Sequence, residues 1–386
     1  MTRSVLSGTL AQFASTIAVE QQPFVNTEKE HLMPESSNAS SGLLERLENG
    51  PVICAEGYLF ELERRGYLQA GAYVPEVVLE HPEVVANLHR EFVRAGSDVI
   101  EAFTYYGHRE KLRLIGKEDL LEPLQRNALE IAESVAEEFS ANRPLLAGNI
   151  CNTNVWDPAD KATDEQVTAM FDEQVAWAVE AGVDFIIGET FAYYGEALLA
   201  LASIKRSGLP AVVTFAHHQD AGLRDGVEID EATRMLEQEG ADVVGVNCTR
   251  GPDTMLPDVA RIREAVSCHV AALPVPYRTH AQQPTFQSLQ DPGSEYLPGD
   301  RPFPTALDPF TCNRYEMAAF ARSAFDLDAR YLGVCCGAGP HHIRAIAEEF
   351  GRTPEASRYS PDMSKHYALG SDDSLKKHNR NYVKKL

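Results

Sequence analysis

The sequence predicts a (β/α)8 barrel, the TIM-barrel class of α/β folds, on three observations. Eight short apolar runs recur along the chain, amphipathic helical stretches separate nearly all of them, and a small-residue stop precedes several. The stops read Arg94-Ala95-Gly96-Ser97-Asp98-Val99-Ile100, Glu180-Ala181-Gly182-Val183-Asp184-Phe185-Ile186-Ile187 and Glu239-Gly240-Ala241-Asp242-Val243-Val244. Glycine near a helix C-terminus, followed by a buried β-branched run, is how a helix returns the chain to a parallel sheet. Eight such units close a barrel.

Taken in order, strand one is expected at about 51–55 on Val52-Ile53-Cys54, strand two at about 98–102 on Val99-Ile100, and strand three at about 145–150 on Leu145-Leu146-Ala147. Strand four falls at about 184–188 on Phe185-Ile186-Ile187, strand five at about 210–216 on Ala211-Val212-Val213, and strand six at about 242–247 on Val243-Val244. Strands seven and eight are expected at about 270–275 and 330–334. The intervening helices are expected near 82–95, 121–139, 164–181, 193–207, 229–239, 255–266 and 314–325. A Pro-rich irregular stretch, 276–313, follows strand seven; at that length it is expected to be a functional loop over the mouth or an interface element.

The barrel is thus expected over 43–350. Residues 1–42 are Ser/Thr/Gln-rich without sustained periodicity and read as a disordered leader. The first 19 residues lack acid and carry Arg3 with several serines, a thin likeness to a transit peptide. The polar segment 351–386, ending in Lys384-Lys385-Leu386, reads as a solvated tail or a subunit-crossing arm.

A net charge of −22 and a pI near 5.0 argue against nucleic acid as a partner and suit a neutral or cationic substrate. No run of apolar residues reaches the roughly 18 needed to span a membrane. Seven cysteines spread from Cys54 to Cys336 do not form the dense, even framework of a secreted disulfide scaffold. A reducing, cytoplasmic compartment with free or metal-bound thiols is expected.

Barrel enzymes build their sites from the C-terminal ends of strands. Cys248 ends strand six in Val243-Val244-Gly245-Val246-Asn247-Cys248, and Cys335-Cys336 end strand eight in Tyr331-Leu332-Gly333-Val334-Cys335-Cys336-Gly337. One strand separates six from eight, so three thiolates can converge across the mouth as ligands of a zinc that keeps its fourth position open. Cys54, Cys151, Cys268 and Cys312 have no partner at ligand spacing and read as small buried hydrophobes. His217-His218 and His341-His342 read as structural residues or as supports around the metal's ligands, since three thiolates already supply the metal. Glu189 of Gly188-Glu189-Thr190 either meets a substrate ammonium or pairs with a structural arginine. Tyr73, after strand one, and Tyr106, in Phe103-Thr104-Tyr105-Tyr106 after strand two, are either core packing or the aromatic faces that hold an onium cation. Gly337-Ala338-Gly339 before Pro340 is also a candidate phosphate cradle.

Further motifs carry a resemblance. Tyr58-Leu59-Phe60-Glu61-Leu62-Glu63-Arg64-Arg65-Gly66-Tyr67, His81-Pro82-Glu83, Leu88-His89-Arg90-Glu91-Phe92, Gly245-Val246-Asn247-Cys248, and Cys335-Cys336-Gly337 with His342-Ile343-Arg344-Ala345-Ile346-Ala347-Glu348-Glu349 resemble the betaine-homocysteine S-methyltransferase family over roughly 50–350. The resemblance implies a (β/α)8 homocysteine methyltransferase that forms methionine, with Zn2+ on Cys248, Cys335 and Cys336. It also implies a small onium methyl donor, no corrinoid or folate, the homocysteine ammonium on Glu189, Tyr73 and Tyr106 in the donor cage, and a homo-oligomer.

Three departures bear on the substrates. The family's Asp-Gly-Gly after strand one is Ala55-Glu56-Gly57 here, so Glu56, beside Gly57, either takes over the amino-group contact or leaves it unmade. Tyr73 stands for a cage tryptophan, and Thr190 for a tyrosine. Betaine, dimethylsulfoniopropionate and S-methylmethionine therefore stay open as donors. Two other readings remain: a metal-independent phosphate-binding barrel enzyme using Gly337 and Gly339, and a catalytically dead homologue acting as a binding protein.

Overall fold

A computed structural model describes residues 42–218 and 222–383; residues 1–41 of the expected leader lie outside the described residues. Eight parallel strands close a barrel in sequence order: β1 (Val52–Ala55), β2 (Val99–Glu101), β3 (Leu145–Cys151), β4 (Phe185–Phe191), β5 (Ala211–Phe215), β6 (Val243–Asn247), β7 (His269–Leu273) and β8 (Ala329–Val334). β8 pairs back onto β1, with Cys54 opposite Gly333. The expected positions hold except for β4, which continues to Phe191 past a register shift between Gly188 and Phe191. That irregularity sets Thr190 at φ 63° and keeps Glu189 inside the strand instead of after it.

The Gly-x-Asp stops have a physical reason beyond reversing the chain. Asp98, Asp184 and Asp242 each accept a backbone N–H at the start of the neighbouring strand, from Ile53 at 2.8 Å, Leu146 at 2.7 Å and Ala211 at 2.8 Å. Each also holds a cation, respectively Arg352, Arg143 and Lys205. The repeat therefore fastens β2 to β1, β4 to β3 and β6 to β5 while satisfying N–H groups that would otherwise lack partners.

Side chains alternate across each strand, and two apolar clusters follow. Val52, Cys54, Val99, Leu145, Ala147, Phe185, Ile187, Val212, Val243, Ala271, Leu273 and Tyr331 fill the barrel, joined by Leu43 and Leu47 of the helix Leu43–Asn49. A larger cluster packs the outward faces against the helices. The 276–313 stretch lies against the mouth, where the Phe286 N–H donates to Thr249 O at 2.8 Å and the Phe286 ring meets Tyr277 at 6.0 Å and Phe60 at 5.9 Å. Beyond 350 the chain is tied back by the Arg94–Glu355 ion pair at 2.9 Å and by Arg352, which donates to Pro51 O. No helix among the described residues is long and apolar enough to cross a membrane.

Candidate active site

One step beyond the inner apolar layer, the inward-facing positions turn polar. Glu56 follows Cys54 by two residues, Glu101 follows Val99, Asn149 follows Ala147, Glu189 follows Ile187 and Thr214 follows Val212; four residues beyond Val243 and Tyr331 come Asn247 and Cys335. Asn149 Nδ2 donates to Glu101 Oε1 and, at 2.7 Å, to Glu189 Oε1. Asn247 Nδ2 donates to Glu189 Oε2 at 2.6 Å and to Glu56 Oε2 at 3.3 Å. Asn247 Oδ1 in turn accepts from the Thr190 N–H and from Thr214 Oγ1, both at 3.0 Å. The result is a buried Glu-Asn-Glu-Asn-Glu chain around the mouth. Sequence reasoning singled out Glu56 and Glu189 but missed Glu101, Asn149 and the network role of Asn247; the signal that finds them is inward parity along the strands.

Three carboxyls in one dry layer resist ionising together. Burial, then the charge of Glu189, pushes both Glu56 and Glu101 well above the usual carboxylate range. Burial also raises Glu189, to about 7, against the hydrogen bonds that favour its ionised form.

Beside this chain, ligand sulfurs of Cys248, Cys335 and Cys336 all lie within 4.8 Å of one another. Backbone bonds aim two of them: the Cys248 N–H donates to Leu273 O and the Cys335 N–H to Pro274 O, both at 2.9 Å. Hydrogen bonds from Cys335 and Cys336 hold the Cys248 thiol well below its usual range, while burial raises Cys335 and the neighbouring Cys248 raises Cys336. A tetrahedral zinc with Zn–S near 2.3 Å sets its sulfurs about 3.8 Å apart, so this trio fits one as three ligands. No histidine belongs to any potential metal-binding group found among the described residues. His217 is engaged by Asp258 at 2.8 Å, and His342 by the Gly339 N–H at 3.1 Å and Cys312 O at 3.0 Å.

A pocket at the barrel mouth is lined by Glu56, Tyr58, Leu59, Glu101, Ala102, Phe103, Tyr105, Glu189, Thr190, Cys335 and Cys336. Five expected residues thus share its wall: Glu56, Glu189, Thr190, Cys335 and Cys336. Cys248 lies behind the wall, its sulfur within 4.8 Å of those of Cys335 and Cys336. Gly57, Tyr73 and Tyr106 are not in the wall. Gly57 is a spacing residue, since a Cβ there would run into Ala338 O. Tyr106 packs at a 38° tilt against Tyr105, a cavity residue absent from the expected set, at 4.3 Å between centroids, and carries the Lys111 ammonium over its ring at 3.8 Å. Tyr73 packs 6.0 Å from Phe60 with its hydroxyl buried and unpartnered. Tyr73, Tyr106, Thr190 and Cys248 all adopt positive φ, between 56° and 63°. Such strain in non-glycine residues gathers at functional centres.

The glycines after Cys336 do not cradle phosphate. The Tyr277 hydroxyl, held by Arg64 Nη2 at 2.7 Å, fills the space where a Gly337 Cβ would stand, and the Gly339 N–H is taken by His342. Gly337 also sits at φ 93°. Gly337→Ala is accordingly expected to cost about 2–4 kcal/mol through clash and strain together. A thermal melt unchanged by the substitution would remove this account of the Cys-Cys-Gly glycine.

Fold and site together define a barrel enzyme with a trio of thiols beside an acid-lined pocket. The chain belongs to the homocysteine S-methyltransferase family, whose sequence model matches residues 53–350. Betaine-homocysteine S-methyltransferase 1 of Xenopus tropicalis is 35% identical over 358 residues, covering 90% of this chain and 84% of the relative. The rat protein of that name (Rattus norvegicus) is 36% identical over 338 residues, covering 86% and 80%. S-methylmethionine-homocysteine S-methyltransferase BHMT2 of Pongo abelii is 34% identical over 352 residues, covering 90% of each chain. The metallated homocysteine methyltransferase MmuM from Escherichia coli shares the fold, with a TM-score of 0.62 at 18% identity, over 79% of this chain and 98% of that one. The protein is a methyltransferase, and the phosphate-enzyme and dead-homologue readings are set aside.

Proposed function

We propose that the protein is a zinc-dependent homocysteine S-methyltransferase that moves a methyl group from a small onium donor to the homocysteine thiolate, forming methionine. The observation that carries the reading is the convergence of three cysteine sulfurs at the wall of an acid-lined pocket in a chain of this family. Zinc bound by Cys248, Cys335 and Cys336 supplies a Lewis acid that favours thiolate over thiol near neutral pH.

The residues of the chain do the rest by placement. Homocysteine's ammonium is directed to the carboxyl layer, which leaves its thiol toward the cysteines. The donor's cationic head lies against the aromatic surface of Tyr105, Tyr106 and Tyr73, where the Lys111 ammonium over Tyr106 already shows a ring face that accepts positive charge. The carbon–nitrogen or carbon–sulfur bond of the donor breaks as the new sulfur–carbon bond forms, and the donor leaves as a neutral amine or sulfide. Charge is cancelled and no proton moves, so no general acid is required. Catalysis then rests on alignment and on keeping the sulfur ionised.

The test is methyl transfer to homocysteine from betaine, dimethylsulfoniopropionate and S-methylmethionine, with zinc quantified in the same sample. Turnover with at least one donor and about one zinc per chain is expected for a single three-thiolate site. In the same assay Tyr106→Ala should raise donor KM by about 3–30-fold, the range of a desolvated cation–π contact, and homocysteine KM far less. Absence of both zinc and turnover would sink the proposal, and equal loss of both substrates in the variant would sink the aromatic cage.

A further inference from the structure

Of the three clustered cysteines, Cys335 and Cys336 are consecutive, so the chain itself limits their spacing, whereas Cys248 has to be delivered from another strand end. It arrives in an unfavourable backbone form. Cys248 at φ 56° and Thr249 at φ 53° are successive non-glycine residues in the left-handed region, a conformation kept only where the surroundings enforce it. Backbone bonds supply part of that enforcement: the Phe286 N–H donates to Thr249 O at 2.8 Å and the Val275 N–H to Arg250 O at 3.0 Å. Buried side chains supply the rest. Arg250 Nε and Thr249 Oγ1 donate to His217 O at 2.9 Å and 3.4 Å, and Arg250 Nε also lies 3.4 Å from Asp258 Oδ2. The same Asp258 oxygen accepts from His217 Nδ1 at 2.8 Å. His217, Asp258 and Arg250 are 3%, 5% and 6% exposed. His217 Nε2 has no partner, so among the described residues Asp258 alone anchors the imidazole by hydrogen bonding.

We propose that Asp258 is a positioning residue for Cys248: by joining His217 to Arg250 it secures the left-handed turn and fixes where the Cys248 sulfur stands against those of Cys335 and Cys336. The inference rests on the three-cysteine metal reading above and names what sets its one remote ligand. Asp258 belongs to the helix Pro252–Ala265, whose buried residues include Met255, Val259 and Ile262; a lone carboxylate in such surroundings is costly. A buried charged cluster often stabilises a fold no better than apolar residues of the same volume. What it adds here is direction, since a planar guanidinium and a carboxylate bond at defined angles whereas methyl groups slide past one another. A metal site needs that definition, because ligand distances tolerate only about 0.2 Å. Asp258 therefore acts at one remove: the helix holds the carboxylate, the carboxylate holds Arg250 and His217, and these hold the turn that carries the thiol.

The experiment compares full-length wild type with Asp258→Asn, which keeps the shape and removes the charge, in two readings. One is zinc affinity, by competition with a chelator of known strength. The other is the rate at which iodoacetamide alkylates Cys248 and Cys335 in the metal-free protein, followed for each cysteine by mass spectrometry. Zinc affinity should fall about 10–100-fold, the range for losing a group that orients a metal ligand. Cys248 should be alkylated about 10-fold faster, as local opening of its turn becomes easier, with Cys335 unchanged within about twofold. Equal acceleration of both thiols would mean that Asp258 merely stabilises the fold, and unchanged zinc affinity would mean that the turn holds without it; either overturns the proposal. Arg250→Met, which leaves the His217–Asp258 pair in place, should show the same selective effect on Cys248 and decides the matter should Asp258→Asn fail to fold. A wild type that binds no zinc would count against the metal site, while the alkylation rates, read without metal, still decide the role of Asp258.

Discussion

Alanine at Cys248, Cys335 or Cys336 is expected to strip the protein of zinc and to reduce homocysteine methylation by about 10³-fold or more, whereas Cys268→Ala leaves both nearly intact. The size follows from two separable losses. A thiol with a pKa near 8.5 is only about 3% ionised at pH 7, so losing the means of ionising it costs up to roughly 30-fold. Misplacing the sulfur relative to the methyl carbon costs on the order of 10² more. Each of the three sulfurs lies within 4.8 Å of the other two, and removing one leaves only two thiolate ligands of the expected three. Cys268 is the control because it precedes β7 at the opposite end of the barrel, where its N–H donates to Glu237 Oε1 at 2.7 Å. Metal analysis and initial rates on the same preparations check both halves of the expectation. Full activity in any of the three variants would dissolve the site.

The barrel was legible because its strands are buried on both faces. Such strands are written as continuous β-branched runs, and the helix-to-strand stops punctuate them. The cysteines were legible for a related reason: strands six and eight are near neighbours in any closed eight-stranded order, so strand-end residues converge without knowledge of a single distance. The acid layer was only half legible. Glu189 ends an apolar run and stands out, but Glu101 sits at the end of Val99-Ile100 and reads as an ordinary strand-end residue. What makes it a site residue is its parity with Val99, which places both inside the barrel, and parity is meaningful only once the strand's start is known to within one residue. The Gly-x-Asp aspartates show the same limit. Sequence marks the turn, while their work as acceptors for a neighbouring strand depends on a partner over 30 residues away, Ile53 for Asp98 and Ala211 for Asp242. Tyr105 and Tyr106 sit side by side in the turn after β2 with their rings packed 4.3 Å apart; sequence singled out Tyr106, and the cavity wall has Tyr105.

Asn247→Ala is expected to destabilise the fold by about 3–5 kcal/mol and to lower kcat/KM for homocysteine by about 10²-fold, and Asn247→Asp is expected to be at least as harmful. Asn247 is fully buried and serves both polarities at once: its amide NH2 faces Glu189, Glu56 and Thr190 Oγ1, while its carbonyl accepts from the Thr190 N–H and Thr214. Alanine leaves a buried carboxylate and a backbone N–H short of partners, each costing about 1–3 kcal/mol or more. It also frees Thr190, whose φ of 63° is retained only while its surroundings enforce it. The aspartate variant separates polarity from packing. It fills the same volume but turns an amide donor into an acceptor against two carboxyls that burial already pushes up, Glu56 well above the usual carboxylate range and Glu189 to about 7. If Asn247 mattered mainly as a space filler, the near-isosteric aspartate would be the milder change. If it matters as the donor that lets Glu56 and Glu189 share one dry layer, aspartate forces a further proton into the cluster or a charge into repulsion, and stability measured at pH 7.5 falls at least as far as for alanine. Melting curves and kcat/KM on the two variants therefore distinguish the two roles, and an aspartate variant that outperforms alanine on both would show that the alternating Glu-Asn chain does not hold the site together.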